Sequence, residues 1–238
     1  AIKVLAASAS SVSVYDGDLF SSLPASDDII MKVGQDESRE EGLILRRSKG
    51  ILELAHGAAS ALSKKEKPFH IDFSSPQAQR RQKECKKELV VKAMGKPDLV
   101  VDMTAGLGRD ASLCAASGLQ VLLVERNWVL YQLLQDGLQR LSTENPDLAG
   151  RMAAVNLDAG FVPIEEQAAA FLNLDGPLSA ASINVYLDPM YPPSKVGRKS
   201  AVKKDTQMLH RIVGAATDGE EDAANELRLF ERALQIAT

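Results

Sequence analysis

From residue 98 onward, short apolar runs alternate with stretches of helical length. "DLVVDM" (98–103), "QVLLVER" (120–126), "MAAVNLD" (152–158) and "ASINVYLD" (181–188) each read as a buried strand. Between them lie "GLGRDASLCAASG", "NWVLYQLLQDGLQRL" and "IEEQAAAFLN", which read as helices. Strands joined through helices of this length run parallel, because only a long crossover returns the chain to the same end of the sheet. Strands that are apolar throughout need cover on both faces. The expected fold is therefore α/β, a mostly parallel, doubly wound sheet whose ligands bind at the carboxyl ends of the strands.

Upstream of this pattern the chain reads differently. Residues 1–75 predict a small mixed N-terminal α+β unit, with strands at "IKVLAAS", "SVSVYDGDLF" and "FHIDF". "EGLILRRSKGILEL" predicts a hairpin that turns at Ser48-Lys49-Gly50. Residues 76–97 predict a basic connecting helix, ending at Gly95 with Pro97 beyond it. Residues 98–238 then form the main domain.

Several classes of function drop out. No run of about 18 apolar residues is present to span a membrane, and "AIKVLAASAS" is too short for a signal-peptide core. Cys85 and Cys114 stand 29 apart, which gives no CxxC motif and no disulfide framework, so a reducing, cytoplasmic setting is expected. His56, His70 and His210 are scattered, and no metal is expected.

The first strand runs into "VVDMTAGLGRDA" (100–111), with Gly106 and Gly108 in the turn to the helix. Glycines there let the backbone turn tightly and let a ligand approach where a Cβ would stand. The spacing also matches the dinucleotide fingerprint, so the glycines alone do not separate NAD from other adenosine cofactors. Asp102 does. A carboxylate four residues before Gly106 repels a pyrophosphate but suits the ammonium of a methionine-type tail. Arg109-Asp110 then occupies the helix N-terminus that a dinucleotide would use for its phosphates. The second strand ends in Glu125, 17 residues after Gly108, where an acid accepts ribose hydroxyls. Together these acids point to S-adenosylmethionine (SAM). Asp158, after the third strand, is a candidate acceptor for the adenine amine, or simply a turn residue.

The fourth strand ends in Asp188-Pro189-Met190-Tyr191. This resembles the (Asp/Asn)-Pro-Pro-(Tyr/Phe) signature of methyltransferases that modify exocyclic amines of bases. Such an amine is a poor nucleophile, because its lone pair is delocalised into the ring. Hydrogen bonds to Asp188 and to a carbonyl of Pro189-Met190 would orient it, and Tyr191 would stack on the base, a contact worth about 1–3 kcal/mol. Pro189 fixes φ and stiffens the loop. No Pro-Cys pair is present to serve as a nucleophile toward pyrimidine carbon-5.

The net charge of −4 conceals a polarised chain. Residues 195–204 hold Lys195, Arg198, Lys199, Lys203 and Lys204 and no acid. They follow the proposed catalytic loop directly, where phosphates flanking a target base would lie. Residues 80–96 hold seven cations, Arg80 and Arg81 among them, interleaved with Glu84 and Glu88.

With these motifs in hand, the sequence resembles the ribosomal RNA small-subunit methyltransferase J family, which methylates N2 of a guanosine in 16S rRNA. The resemblance rests on "DMTAGLGRDA" (102–111), "VERNWV" (124–129), "LDPMYP" (187–192) and "KSAVKKD" (199–205). It implies a Rossmann-like class I SAM-dependent fold and 16S rRNA or the small ribosomal subunit as partner. It also implies that Arg109, Asp110, Glu125, Arg126 and Asp188 lie at the cofactor; Thr104, in the glycine turn, is a further cofactor-binding candidate. Three departures stand out. "SSPQAQRRQKECKKEL" replaces the family's glycine-rich basic loop, keeping Arg80-Arg81. Asp158-Ala159 replaces small hydroxyl residues at the cofactor. The family's last strands are expected beyond Thr238. Other readings of the same residues are an amino-methyltransferase of another RNA, of DNA or of protein, a non-catalytic RNA-binding module, and an NAD enzyme.

Overall fold

The computed structural model describes residues 29–33, 43–56, 67–174, 178, 181–189 and 219–237. The described residues fall into two compact units that part between His70 and Ile71. "IKVLAAS", "SVSVYDGDLF", Met190, Tyr191, His210 and the five cations of 195–204 lie outside the described residues.

The first unit contains an antiparallel sheet of β1 (Ile29–Val33), β2 (Leu43–Ser48) and β3 (Ile51–His56), in that order. β2 and β3 form the expected hairpin. Its two-residue turn places both Lys49 (φ 51°) and Gly50 (φ 81°) in the left-handed region, the geometry that matches the twist of paired strands. The expected strand "FHIDF" is not one. Among the described residues only Phe69 pairs, through a two-bond bridge to Leu54 at 2.7 Å each. In the second unit, Ile71 and Phe73 are buried, and side chains meet their carbonyls. Arg140 donates to the Ile71 carbonyl, and Gln82 donates to that of Phe73 at 2.9 Å. With those groups satisfied, no strand partner is needed.

The second unit is built on a parallel four-stranded sheet in the order β6-β5-β4-β7. Its strands are β4 (Leu99–Asp102), β5 (Val121–Val124), β6 (Met152–Val155) and β7 (Ile183–Tyr186). Leu99, Val101, Leu122, Val124 and Ile183 face a core shared with Ala168 of α6 (Glu165–Phe171) and with Ala233 and Ile236 of α7 (Gly219–Ile236). Arg232 of α7 donates to both carboxylate oxygens of Glu165, at 2.6 and 2.8 Å. The opposite face carries α3 (Arg109–Ala116) and α4 (Trp128–Glu144), with the short α5 (Pro146–Ala149) after them. Cover on both faces is what keeps every residue of β4 and β5 buried. The doubly wound expectation holds.

The connecting segment is not one helix. It breaks into α1 (Pro76–Lys83), a 3-10 turn (Cys85–Lys87) and α2 (Leu89–Met94). Ser75 caps α1 by accepting from the Ala78 amide at 3.3 Å. The break turns Cys85 into the interior, and an extended Glu88 (ψ 139°) precedes α2. Gly95 at φ 64° then stops α2 where the sequence predicts.

Candidate active site

The carboxyl ends of β4, β5 and β7 converge on the glycine turn. Gly106 (φ 51°) and Gly108 (φ 64°) both take the left-handed conformation, but for different neighbours. A Cβ on Gly108 would meet Leu123 Cδ2 at 2.9 Å, Leu134 Cδ2 at 3.0 Å and Phe73 Cζ at 3.1 Å. Gly108 is therefore required where α3 packs on the sheet. A Cβ on Gly106 would come no nearer than 3.8 Å, to the Thr104 carbonyl. The space over Gly106 is open, as a ligand cradle requires.

Four carboxylates surround this turn. Asp102, only 3% exposed, accepts from the Thr104 amide at 3.1 Å. Burial pushes its carboxyl up to about 7, and the nearby charges of Asp110, Glu125 and Asp188 add to the shift against the Thr104 hydrogen bond. Glu125 is also buried. One of its oxygens accepts from the Gly106 amide at 2.9 Å and the other from the Asn127 amide at 2.7 Å. Burial raises its pKa, while those two amides pull it down. The Arg126 amide adds a further backbone contact. Two carboxylate oxygens offer about four acceptor sites, so Glu125 braces the turn and keeps capacity for one more donor.

Asp110 stands in the first turn of α3, where its charge also complements the helix dipole. The Tyr186 hydroxyl donates to Asp110 Oδ2 at 2.9 Å, and Arg81 approaches Oδ1 at 3.6 Å. Burial and this hydrogen bond raise the pKa of Tyr186 further. Asp188 is exposed, and its backbone N–H donates to Thr104 Oγ1 at 2.8 Å. One side chain of the glycine turn thus fixes the start of the Asp188-Pro189 loop.

Other expected residues are placed differently. Asp158 Oδ1 accepts from the Gly160 amide at 3.1 Å, which makes it a turn former, and Ala159 is buried in the core. Arg126 and Arg109 are exposed beside the turn. Arg80 is exposed on α1, whereas Arg81 turns inward to hold both oxygens of Glu88 at 3.1 Å. Cys114 is core, its thiol pushed up to about 12 chiefly by burial, and it offers no nucleophile. Among the described residues, no cluster of three or more His, Cys, Asp or Glu is placed to hold a metal. No described helix is long and apolar enough to cross a membrane.

Two residues of the site escape sequence reasoning. Tyr186 ends β7 beside Asp102 in register. Asn156, just past β6, donates to the carbonyls of Glu125 at 2.7 Å and Arg126 at 3.2 Å, which pins the exit of β5. Their only signal is a polar group at a strand's carboxyl end.

A family model described as "Putative SAM-dependent methyltransferase" matches residues 29–238. The chain belongs to that family. Over 213 residues, the methyltransferase is 33% identical to ribosomal RNA small subunit methyltransferase J of Alteromonas mediterranea, covering 87% of this chain and 73% of that protein. It is 38% identical to the proteins of the same name from Neisseria gonorrhoeae over 150 residues and Haemophilus influenzae over 153 residues. Those matches span 62% and 63% of this chain but little more than half of each relative, 56% and 55%. The crystal structure of a SAM-dependent methyltransferase from Neisseria gonorrhoeae superposes with a TM-score of 0.53 at 28% identity, covering 88% of this chain and 74% of that one.

SAM is the cofactor of this family, and the site fits it. The open cradle over Gly106 admits a ligand, and the surrounding carboxylates suit a cation and repel a pyrophosphate. The NAD alternative is set aside.

Proposed function

We propose that this methyltransferase modifies the exocyclic N2 amine of a guanosine in small-subunit (16S) ribosomal RNA, working in the cytoplasm. The observation that carries the reading is the 2.8 Å hydrogen bond from the Asp188 amide to Thr104 Oγ1. It ties the Asp-Pro loop to the same turn that cradles the cofactor. The names of the relatives supply the substrate class.

In this reading Asp102, Thr104, Gly106, Gly108, Arg109, Asp110, Glu125 and Arg126 form the cofactor side, with Asp158 and Ala159 at its margin. Asp102 and Asp110 face the positive charge of the methionine tail, and Glu125 accepts from the ribose. When bound, SAM supplies an electrophilic methyl group. The chain's own task is then to present a weak nucleophile in line. Asp188 accepts a hydrogen bond from the guanine amine and orients its lone pair, with Pro189 and Met190 shaping the loop and Tyr191 stacking on the base. The amine carries a surplus proton after transfer and loses it readily, because a methylated arylammonium is strongly acidic. Asp188, being exposed, passes that proton to solvent. Lys195, Arg198, Lys199, Lys203, Lys204, Arg80 and Arg81 are the candidate RNA contacts.

The test is methyl transfer from labelled SAM to undermethylated small subunits, compared with DNA and with protein. Label in rRNA, lost in Asp188→Ala while SAM binding persists in part, supports the reading. Label confined to protein or DNA, or full activity in Asp188→Ala, ends it.

A further inference from the structure

The four carboxylates at the glycine turn make the described rim of the site a poor place to hold a polyanion. A chain that handles RNA needs its cations nearby but elsewhere. Residues 80–96 look like an ordinary mixed-charge face in sequence, because Glu84 and Glu88 punctuate them. In the structure both acids are taken up inside the cluster. Lys87 pairs with Glu84 at 3.0 Å, and Arg81 pairs with Glu88 at 3.1 Å. The side chains of Arg80, Lys83 and Lys86 keep no hydrogen-bond or ion-pair partner among the described residues.

These cations do not lie on a flat surface. Lys83 and Lys86 line a hollow of about 550 Å³ whose walls include Gln82, Cys85 and Ala116. A second hollow of about 430 Å³ shares Gln82, Lys83 and Ala116 with it and extends past Glu144, the one acid in its lining, to Arg151. The two hollows are neighbours through those shared residues, and the side chain of Arg151 likewise has no hydrogen-bond or ion-pair partner among the described residues. Ala116 closes α3, whose eight residues span about 12 Å back to Arg109 at the cofactor turn. Arg81 of α1 also reaches that end of α3, 3.6 Å from Asp110.

We propose that this groove docks the sugar-phosphate backbone of the RNA strand flanking the target nucleotide, with Lys83, Lys86 and Arg151 as the phosphate contacts and Arg80 at the rim. The inference rests on the rRNA reading and adds where the strand runs. Phosphate contacts position a nucleic acid without reading its sequence. The groove therefore supplies affinity and register, and the Asp188 loop selects the base.

The experiment is equilibrium binding of the full chain to unmodified 16S rRNA across a salt series, without cofactor. Each phosphate contact contributes about 0.7 to 1 to the slope of log K against log salt. The triple variant Lys83→Glu/Lys86→Glu/Arg151→Glu should therefore lower the slope by about 2 to 3 and weaken binding about 10- to 100-fold near 0.15 M salt. The matching triple glutamine variant should show the same slope loss in milder form, and it keeps the test readable should the reversed charges fold poorly. Both should keep the wild-type thermal shift with SAM. Wild-type affinity and slope in the variants overturn the groove while leaving the rRNA reading intact. Loss of binding to assembled subunits with naked rRNA unaffected also overturns it, in favour of a protein contact. Failure of the wild-type chain to bind or methylate rRNA removes the underlying reading, and the groove with it.

Discussion

The hydroxyl of Tyr186 donates to Asp110 Oδ2 at 2.9 Å, joining the last residue of β7 to the first turn of α3. With the Asp188–Thr104 hydrogen bond two residues later, it forms a double tie between the strand that leads into the Asp188-Pro189 loop and the glycine turn proposed to cradle SAM. Tyr186 touches neither reactant in the proposed arrangement. It is a positioning residue for Asp110.

Tyr186→Phe removes this tie and keeps the ring. A hydrogen bond to a charged group is worth about 1.5–3 kcal/mol, and Arg81 still attracts Asp110 from the other side. The dissociation constant for SAM should rise about 10-fold, while kcat at saturating SAM stays within about twofold. Calorimetry for SAM beside steady-state methylation checks the split. A purely structural role would instead lower the melting temperature and leave the SAM affinity of the folded fraction unchanged.

The two turn glycines should respond in opposite ways. Gly108→Ala drives a Cβ to 2.9 Å from Leu123 and 3.0 Å from Leu134, in a left-handed conformation as well. Overpacking of about 1–3 kcal/mol and a conformational cost of about 1–2 kcal/mol act together, so unfolding in urea should show a large loss of stability. Gly106→Ala carries only the conformational cost, because its Cβ enters open space. That Cβ would occupy the ligand cradle, so SAM affinity should fall by more than stability does. Equal stability losses in the two variants would contradict this division.

Much of this architecture is legible in the sequence, because strand and helix periods survive locally. "LVVD", "VLLV" and "INVY" are strands where the apolar runs place them, and the glycine turn lies between β4 and α3. What escapes depends on distant partners. "FHIDF" has a strand's composition, yet Arg140, 69 residues from Ile71, takes the carbonyl that a neighbouring strand would have used. The break after Lys83 follows from burying Cys85 against the second unit's core, which no helical propensity reports. Tyr186 and Asn156 look like ordinary strand-end residues until α3 and β5 are brought beside them. The charge of 80–96 was visible, but which cations its acids neutralise was not.

Asp102 should give the protein a pH dependence of defined sign. Its carboxyl titrates near 3.9 in an unfolded chain and is pushed up to about 7 by burial in the folded one. Between those values the folded state holds a proton that the unfolded state has released. The contribution of Asp102 is therefore fully present below about pH 4 and is lost as pH rises through about 7. A shift of three units corresponds to at most about 4 kcal/mol, caused chiefly by burial and in smaller part by the nearby charges of Asp110, Glu125 and Asp188. Asp102→Asn removes this slope, so the wild type should lose melting temperature relative to the variant between pH 5 and pH 8. SAM reverses the balance, since its cationic tail favours the ionised carboxylate. Binding near pH 6 should then release a proton, and near pH 8.5 it should release almost none from this group. Titration calorimetry in two buffers of different ionisation enthalpy reads that proton directly. No proton release at pH 6 in the wild type, or the same release in Asp102→Asn, would show that Asp102 does not face the cofactor's charge.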